Sequence, residues 1–553
     1  MASSKTARAY WRNAARPFQR PEAVGVTTNT TIVPASARLA TTQHNGSSVE
    51  GKRERVVVLG SGWAGYALAR DLDPKKYERI IISPRSHFVF TPLLASTTVG
   101  TLEFRSILEP VRRLQPDRFH QGWADSIDFD KKLIQVETNP DADEINSRTM
   151  PPPQPPKQSP SSTDVSTVES AAVATKKGEM ISVPYDKLIV AVGSYSQTFG
   201  IPGVREHANF LRDVGDARSI RLRVLQCFER ADLPNTTDEQ RRKLLHFAVV
   251  GGGPTGIEFA AELHDLVHDD LARLYPSLMP FAAITVYDVS NKVLPMFDKK
   301  LSAYAIETFR RQGIQVKTEH HIHGIRPDED GKGGLKLKIQ EYDDEVGAGI
   351  VVWSTGLMQN PLVARLIARE LRTSVPADAK DATQPWHIIK DHKTGGIVTD
   401  DHLRVRISAQ DTPEKDAVKD PKTSPAGSTI LPDVFAIGDC AVIEREALPA
   451  TAQVASQQAK YLAKALNKYD GPGTDAVARA KPFRFRNLGT LAYLGSWRAI
   501  LQSESLFEGL TGRLAWVLWR GAYITRSMSI RNKIMVLVHW FMTWLFGRDI
   551  SRF

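Results

Sequence analysis

Hydrophobic positions along this chain gather into short unbroken runs rather than alternating with polar ones. Residues 55–60 (RVVVLG) and 78–83 (ERIIIS) are such runs. A strand covered on both faces is apolar throughout, so both read as buried parallel strands. GYALARDLD between them has the length and pattern of a short helix, completing a βαβ unit. YDKLIVAVG (185–193) resumes the strand pattern. A second set starts near Leu244 with HFAVV and a helix after Gly256. It continues with ITVYDVS, whose strand ends at Asp288, and GIVVWSTG, which closes near Gly356. DVFAIGDC then reads as another strand of the first set, which places the second unit inside the first.

This pattern predicts an α/β protein with two Rossmann-like dinucleotide-binding domains and a C-terminal amphipathic-helix region. The first domain covers 51–240, with a Pro/Ser-rich insertion at 139–180, and resumes over 366–475, with a polar insertion at 409–428. The second covers 241–365. Residues 1–50 stand before the fold, and 476–553 form a separate tail. Both insertions are Pro-, Ser- or charge-rich and poor in large apolar residues, so they read as flexible surface segments.

The two βα junctions carry the same motif. VVVLGSGWAG holds Gly60, Gly62 and Gly65; FAVVGGGPTG holds Gly251, Gly253 and Gly256. Between a strand and a helix, G-x-G-x-x-G supports dinucleotide binding. The first glycine makes the turn, the second admits a pyrophosphate, and the third lets helix pack on strand. The phosphates then meet the free N–H groups of the helix N-terminus. Two copies in one chain imply two dinucleotides face to face, the layout of a flavoprotein that takes hydride from a nicotinamide. Asp288, at the end of the second strand of the inserted unit, suits a ribose diol and repels a 2′-phosphate, favouring NADH over NADPH. The corresponding strand of the first unit ends at Ser83, followed by Pro84 and Arg85. Ser83 could bond a ribose, and Arg85 a phosphate or the adenine face. Asp439 in AIGDC suits a polyol such as the flavin ribityl chain.

At 553 residues and 61.4 kDa the chain is too long for one core. Its net charge of +10 is concentrated at the ends. Residues 1–21 carry Lys5, Arg8, Arg12, Arg16 and Arg20 without an acid, the composition of a mitochondrial transit peptide. Residues 511–553 carry seven Lys/Arg against Asp549 alone. A nucleic-acid-binding face is therefore not read. With only Cys227 and Cys440 and no C-x-x-C, paired-thiol chemistry and a cysteine zinc site are excluded. DEDGKGG (328–334) opens like a calcium loop, but Ile339 stands where the bidentate Glu is required, so it reads as a hairpin turn and no metal is expected. The longest apolar run, 534–546, is too short to span a bilayer. Trp516, Trp519, Trp540 and Trp544 lie among Arg513, Arg520, Arg526, Arg531 and Lys533. Tryptophan favours the headgroup boundary and basic groups favour anionic lipid, so two amphipathic helices lying on a membrane surface are expected.

Taken together, VVVLGSGWAGYALAR, ISPRSHFVFTPLLASTTVGTLEFRSILEPVR, VVGGGPTGIEFAAEL, VFAIGDC, PATAQVASQQAKYLAKAL and LGTLAYLGSWRAI resemble the type II (alternative, rotenone-insensitive) mitochondrial NADH:ubiquinone oxidoreductases, fungal ones included. The likeness covers most of 55–546. It implies non-covalent FAD held by Gly60, Gly62, Gly65, Ser83, Asp439 and Ala452, with Thr91 and Pro92 against the flavin ring. It implies NADH on Gly251, Gly253, Gly256, Asp288 and Gly356, with Glu258 near the nicotinamide. Gln453 and Gln457, one helical turn apart, correspond to the family's quinone-site glutamines, and Tyr493 to an aromatic near the quinone. Glu258, Gln453 and Gln457 are thus the expected catalytic set, and Trp516, Trp519, Arg520, Trp540 and Trp544 the membrane anchor.

The resemblance further implies a peripheral inner-membrane enzyme, often a homodimer, that passes hydride from NADH to FAD and two electrons on to ubiquinone. Without spanning helices, proton pumping is not expected. A sulfide:quinone or disulfide reductase would need placed thiols. The alternative of another class is a membrane-attached NADH-binding redox sensor or cell-death effector, which a turnover assay separates from the enzyme.

Overall fold

A computed structural model describes residues 53–139, 178–371, 385–409, 428–468, 477–503 and 506–551. The transit-peptide reading and nearly all of the two expected insertions lie outside these residues. Arg53–Phe553 forms one compact unit.

The first unit is built from β1 (Glu54–Leu59), α1 (Trp63–Asp71), β2 (Tyr77–Ser83), a short α2 (Leu94–Thr98), β3 (Arg118–Asp128), β4 (Leu133–Thr138), β5 (Met180–Pro184) and β6 (Lys187–Val190). The second takes β7 (Asn209–Phe210), α3 (Val214–Ala231), β8 (His246–Val250), α4 (Pro254–Asp265), β9 (Ala283–Asp288), β10 (Gln315–Thr318), the hairpin β11 (Ile322–Pro327) and β12 (Leu335–Ile339), and β13 (Ile350–Trp353). The chain then returns through β14 (Ile397–Thr399), β15 (Arg404–Ser408), β16 (Ser428–Ala436), β17 (Ala441–Ile443) and α5 (Ala452–Lys468). It ends with β18 (Thr490–Tyr493), β19 (Ala499–Ser503), β20 (Leu506–Thr511), α6 (Gly512–Arg526) and α7 (Ile530–Phe546).

The larger sheet runs β17-β14-β15-β16-β6-β1-β2-β3-β4-β5, and the smaller β7-β13-β8-β9-β10. All strands of the smaller sheet fall, in sequence, between β6 and β14 of the larger one. In both sheets the strand before the glycines lies centrally and pairs in parallel on both sides. Val56, Val57, Val58 and Leu59 are buried, as are Phe247, Ala248, Val249 and Val250, which explains their lack of alternation. The two units repeat even in register. Gly60 N–H donates to Ile82 O at 2.8 Å, and Gly251 N–H to Tyr287 O at 2.8 Å. Ser83 and Asp288 each follow the accepting residue, so they are equivalent positions.

DEDGKGG joins β11 to β12 as the expected hairpin, closed by Asp328 N–H to Gly334 O at 2.8 Å. The distance from Gly256 to Asp288 is taken up by a π-helix (Leu266–Leu271) and a 3-10 helix (Pro276–Phe281), which extend the crossover.

The expectation of a separate C-terminal tail is corrected. One hydrophobic cluster includes Phe228, Phe259 and Leu263 of the second unit together with Leu494, Trp519, Val536 and Trp540 of the C-terminal segment. Residues β18 to α7 share a core with α3 and α4. The sequence hid this because each tail helix is apolar around most of its circumference, leaving no pattern to say which stripe turns inward.

Candidate active site

Each glycine motif builds the same anion-binding cradle. Gly60 and Gly251 have φ of +104° and +115°, in the region that glycine alone enters freely. A Cβ on Gly65 would stand 2.0 Å from Gly60 O, and one on Gly256 2.0 Å from Gly251 O. Only hydrogen permits the helix to sit this close to its strand. The middle glycines face open space, with nothing within 4 Å of a Cβ on Gly62 or Gly253. These two residues are also the N-caps of α1 and α4, and neither helix start receives a side-chain cap bond. Two uncapped helix N-termini with room above them fit two pyrophosphates.

Around the first cradle, Asp439 sits in a 3-10 turn (Gly438–Cys440) beyond β16. Burial pushes its carboxyl upward, opposed by Arg212 and by the Ser194 hydroxyl, which donates to Oδ2 at 3.2 Å. Among the described residues Arg212 Nη1 has no hydrogen-bond partner. A half-buried acid beside a buried donor without a partner fits the hydroxyls and phosphates of FAD. Gln458, buried on α5, accepts from Gly438 N–H at 2.7 Å and so ties this turn to the helix that Ala452 begins. Thr91 and Pro92 open a 3-10 turn, where Thr91 Oγ1 accepts from Trp63 Nε1 at 2.9 Å at the start of α1.

Two residues considered for this half find partners within the chain. The hydroxyls of Ser83 and Ser61 bond each other at 2.9 Å, so Ser83 points inward. Arg85 pairs with Asp213 at 2.5 Å instead of standing free for phosphate or adenine. Burial alone would raise Asp213, but the His87 ring 3.7 Å away, the Arg85 charge and the Val214 N–H hold it down to about 2.

At the second cradle, Asp288 ends β9, where Oδ1 accepts from Ser290 N–H at 2.6 Å and Oδ2 from Gly252 N–H. The acid thus braces the glycine loop on which it would read a ribose. Gly356, with φ +77°, lies under the Phe199 ring, which a Cβ would meet at 2.7 Å.

Glu258, in the second turn of α4, is half-buried, and burial pushes its carboxyl up to about 8. Its Oε1 accepts from Tyr493 N–H at 3.0 Å and Trp519 Nε1 at 3.3 Å. β18 and α6 therefore dock directly on the nucleotide helix. Tyr493 is buried, donates its hydroxyl to Asp265 Oδ2 at 2.6 Å, and packs its ring on Trp519 at 5.4 Å.

Gln453 and Gln457 both engage the backbone of 486–489. Gln457 donates to Arg486 O at 2.8 Å and accepts from Arg486 N–H at 3.0 Å. Gln453 accepts from Leu488 N–H at 2.8 Å and donates to Gly489 O at 3.3 Å. The pair clips this segment to α5 as a neighbouring strand would.

The anchor set divides. Trp519 and Trp540 are 3% and 5% exposed and belong to the core, which corrects their expected lipid-facing place. Arg520 is likewise turned inward, its guanidinium carbon 4.1 Å from the Trp516 ring centre and 4.3 Å from that of Trp540. Trp544 is 63% exposed. It stands among Leu537, Val538, Phe541, Leu545 and Phe546 on α7, with Leu514, Val517 and Leu518 on α6 also exposed. Among the described residues no helix is long and apolar enough to cross a membrane, and no metal-binding group of three or more His, Cys, Asp or Glu is found.

Glu262, Asp265 and Arg548 were not singled out from the sequence. The signal existed: in GIEFAAELHDL, three acids recur at helical spacing within an apolar stretch. Arg212 and Gln458 carried no such sign.

The profile of the pyridine nucleotide-disulphide oxidoreductase family matches residues 54–388, and that of the NDH2 C-terminal domain matches 487–549. The chain belongs to this family, in its type II NADH dehydrogenase branch. A probable NADH dehydrogenase of Dictyostelium discoideum is 38% identical, over 92% of this chain and 93% of that one. The internal alternative NAD(P)H-ubiquinone oxidoreductase A1 of Solanum tuberosum mitochondria is 36% identical, over 91% and 88%. The solved structure of NDH2 from Plasmodium falciparum with NADH shares the fold, with a TM-score of 0.70, 23% identity and coverage of 91% of this chain and 100% of that one. This type II dehydrogenase keeps the family fold without its thiol chemistry. Cys227 and Cys440 are both buried and free, and burial pushes both thiols up to about 11.

Proposed function

We propose that this chain is a single-subunit, non-pumping mitochondrial NADH:ubiquinone oxidoreductase. NADH, a quinone and one proton become NAD⁺ and quinol. FAD, held by Gly60, Gly62, Gly65 and Asp439, supplies the step between hydride and single-electron chemistry. Gly251, Gly253, Gly256 and Asp288 hold NADH. One observation carries the reading: Glu258, on the helix begun by the second glycine motif, is bonded by the backbone of Tyr493 and the indole of Trp519. The nicotinamide helix and the C-terminal module with the exposed apolar face thus meet at one carboxyl. With its ordinary value raised to about 8, Glu258 holds a proton at neutral pH and can give it to reduced quinone.

Gln453, Gln457 and Tyr493 line the quinone side in this reading. A quinone carbonyl would take its hydrogen bond from a glutamine now joined to 486–489, so entry of the quinone includes loosening that clip. The exposed faces of α6 and α7 rest on the inner-membrane surface, with Trp544 at the boundary. A homodimer through the C-terminal region fits the same reading.

The deciding experiment follows NADH oxidation by FAD-loaded protein with and without a short-chain ubiquinone, and with NADPH in parallel. Fast turnover that needs quinone and prefers NADH is expected. Fast flavin reduction without quinone turnover would leave the sensor instead.

A further inference from the structure

Glu258, Glu262, Asp265 and Asp269 recur at i, i+4, i+7 and i+11, so they form one row along α4 and the π-helix that follows. Glu258 and Asp265 bond Tyr493 of the C-terminal module, while Asp269 is exposed at the end of the row. Glu262 and Asp265 are each 4% exposed. Both oxygens of Glu262 accept: Oε1 from Ser96 Oγ, and Oε2 from Thr101 Oγ1 at 2.9 Å. Two hydroxyls within reach of its two oxygens can satisfy an ionised carboxylate, which needs a counter-charge when buried.

Arg548, from the segment after α7, supplies that charge. Its side chain is 9% exposed. Nε donates to Thr101 Oγ1 at 3.0 Å, the hydroxyl that itself donates to Glu262. Nη1 donates to Asp270 Oδ2 at 2.7 Å and Asp269 Oδ2 at 3.4 Å. Burial pushes Glu262 upward, and Arg548 is the strongest influence against it. Glu258 differs. Among the described residues its hydrogen-bond donors reach only Oε1, and Glu262 is the charge that disfavours ionising it.

We propose that Arg548 is a positioning residue for the quinone half-reaction: its guanidinium fixes Glu262 as the charged member of the inward row and Glu258 as the neutral one. The inference rests on the proposed function for its kinetic meaning alone. The other ionisable groups facing the pair are Tyr493 from β18, Arg520 and Tyr523 from α6, and Asp265 with the stacked His264 and His268 on their own helix. Arg520 is held among tryptophan rings, so Arg548 is the cation that bonds directly into the row.

The test compares Arg548→Met, Arg548→Lys and Glu262→Gln in the full FAD-loaded chain. In Arg548→Met, Glu262 takes up a proton and no longer repels charge on Glu258. The alkaline limb of quinone-dependent kcat then moves to lower pH by roughly one unit, with the KM for NADH unmoved. Arg548→Lys restores the limb. Glu262→Gln moves it the same way with Arg548 intact, and so also serves if Arg548→Met fails to fold. A fall in Tm with the limb unmoved in both Arg548→Met and Glu262→Gln would show a merely structural arginine and overturn the proposal. Infrared titration separates this from failure of the functional reading. The carboxyl band abolished by Glu258→Gln must titrate at lower pH in Arg548→Met, and an unchanged midpoint refutes the proposal whether or not quinone is turned over.

Discussion

Single atoms decide most at the two glycine motifs and at the acids beside them. A Cβ on Gly256 would overlap Gly251 O, so Gly256→Ala must push α4 off its strand. Flavin reduction by NADH should fall at least about 100-fold, as expected when a reacting group is displaced by an ångström, while FAD absorbance survives. In the proposed function, Asp288→Asn removes the charge that would repel a 2′-phosphate. The NADH-over-NADPH ratio of kcat/KM should drop by about tenfold, read from parallel steady-state assays. Glu258 has a linked effect on stability. Its folded value, about 8, lies above that of an exposed carboxyl, so the native state binds the extra proton. The stability it confers is complete below the unfolded value near 4.5 and is lost as pH rises through 8. Thermal melts of wild type and Glu258→Gln should therefore diverge with rising pH, the variant becoming relatively more stable by a few kcal/mol by pH 9. Parallel melting curves from pH 5 to pH 9 would contradict this.

At the scale of elements, α7 has two faces of similar chemistry and opposite fate. Val536 and Trp540 turn inward, while Leu537, Phe541 and Trp544 turn out. Trp540→Ala should cost about 3–5 kcal/mol of stability, measured by denaturant unfolding, with vesicle binding unchanged in the folded fraction. Phe541→Glu should leave stability and short-chain quinone turnover nearly intact, yet abolish flotation with anionic vesicles. The contrast also shows what the sequence could disclose. βαβ units, glycine motifs and the strand-end acid were legible because parallel strands and phosphate loops impose local rules on neighbouring residues. The facing of α6 and α7 was not, since an apolar residue answers equally to core and lipid. Nor was the partner of Glu258: the indole of Trp519 lies 261 residues away, and no local pattern encodes that pairing. The partners of Ser83 and Arg85 were hidden for a related reason, because which groups of a loop turn inward depends on residues distant in sequence such as Ser61 and Asp213.

Across the whole molecule, the second nucleotide unit lies between halves of the first in sequence, and the C-terminal module shares its core with that second unit. Anything that loosens the module therefore reaches the helix of the second glycine motif before it reaches the first sheet. Membrane attachment should combine the apolar faces with Arg513, Arg531 and Lys533, so affinity for anionic vesicles should weaken when salt rises from 0.05 to about 0.5 M. Salt-insensitive binding would assign attachment to the apolar faces alone.

The sorting of tryptophans in the tail gives the protein an optical signature. Trp519 and Trp540 already lie in an apolar, Arg520-lined interior, so their emission has little room to change on contact with lipid. Trp544, 63% exposed, starts in water and has the furthest to go. A blue shift of intrinsic fluorescence on adding vesicles would thus come mainly from that indole, and a Trp544→Phe protein would dock with a much smaller shift.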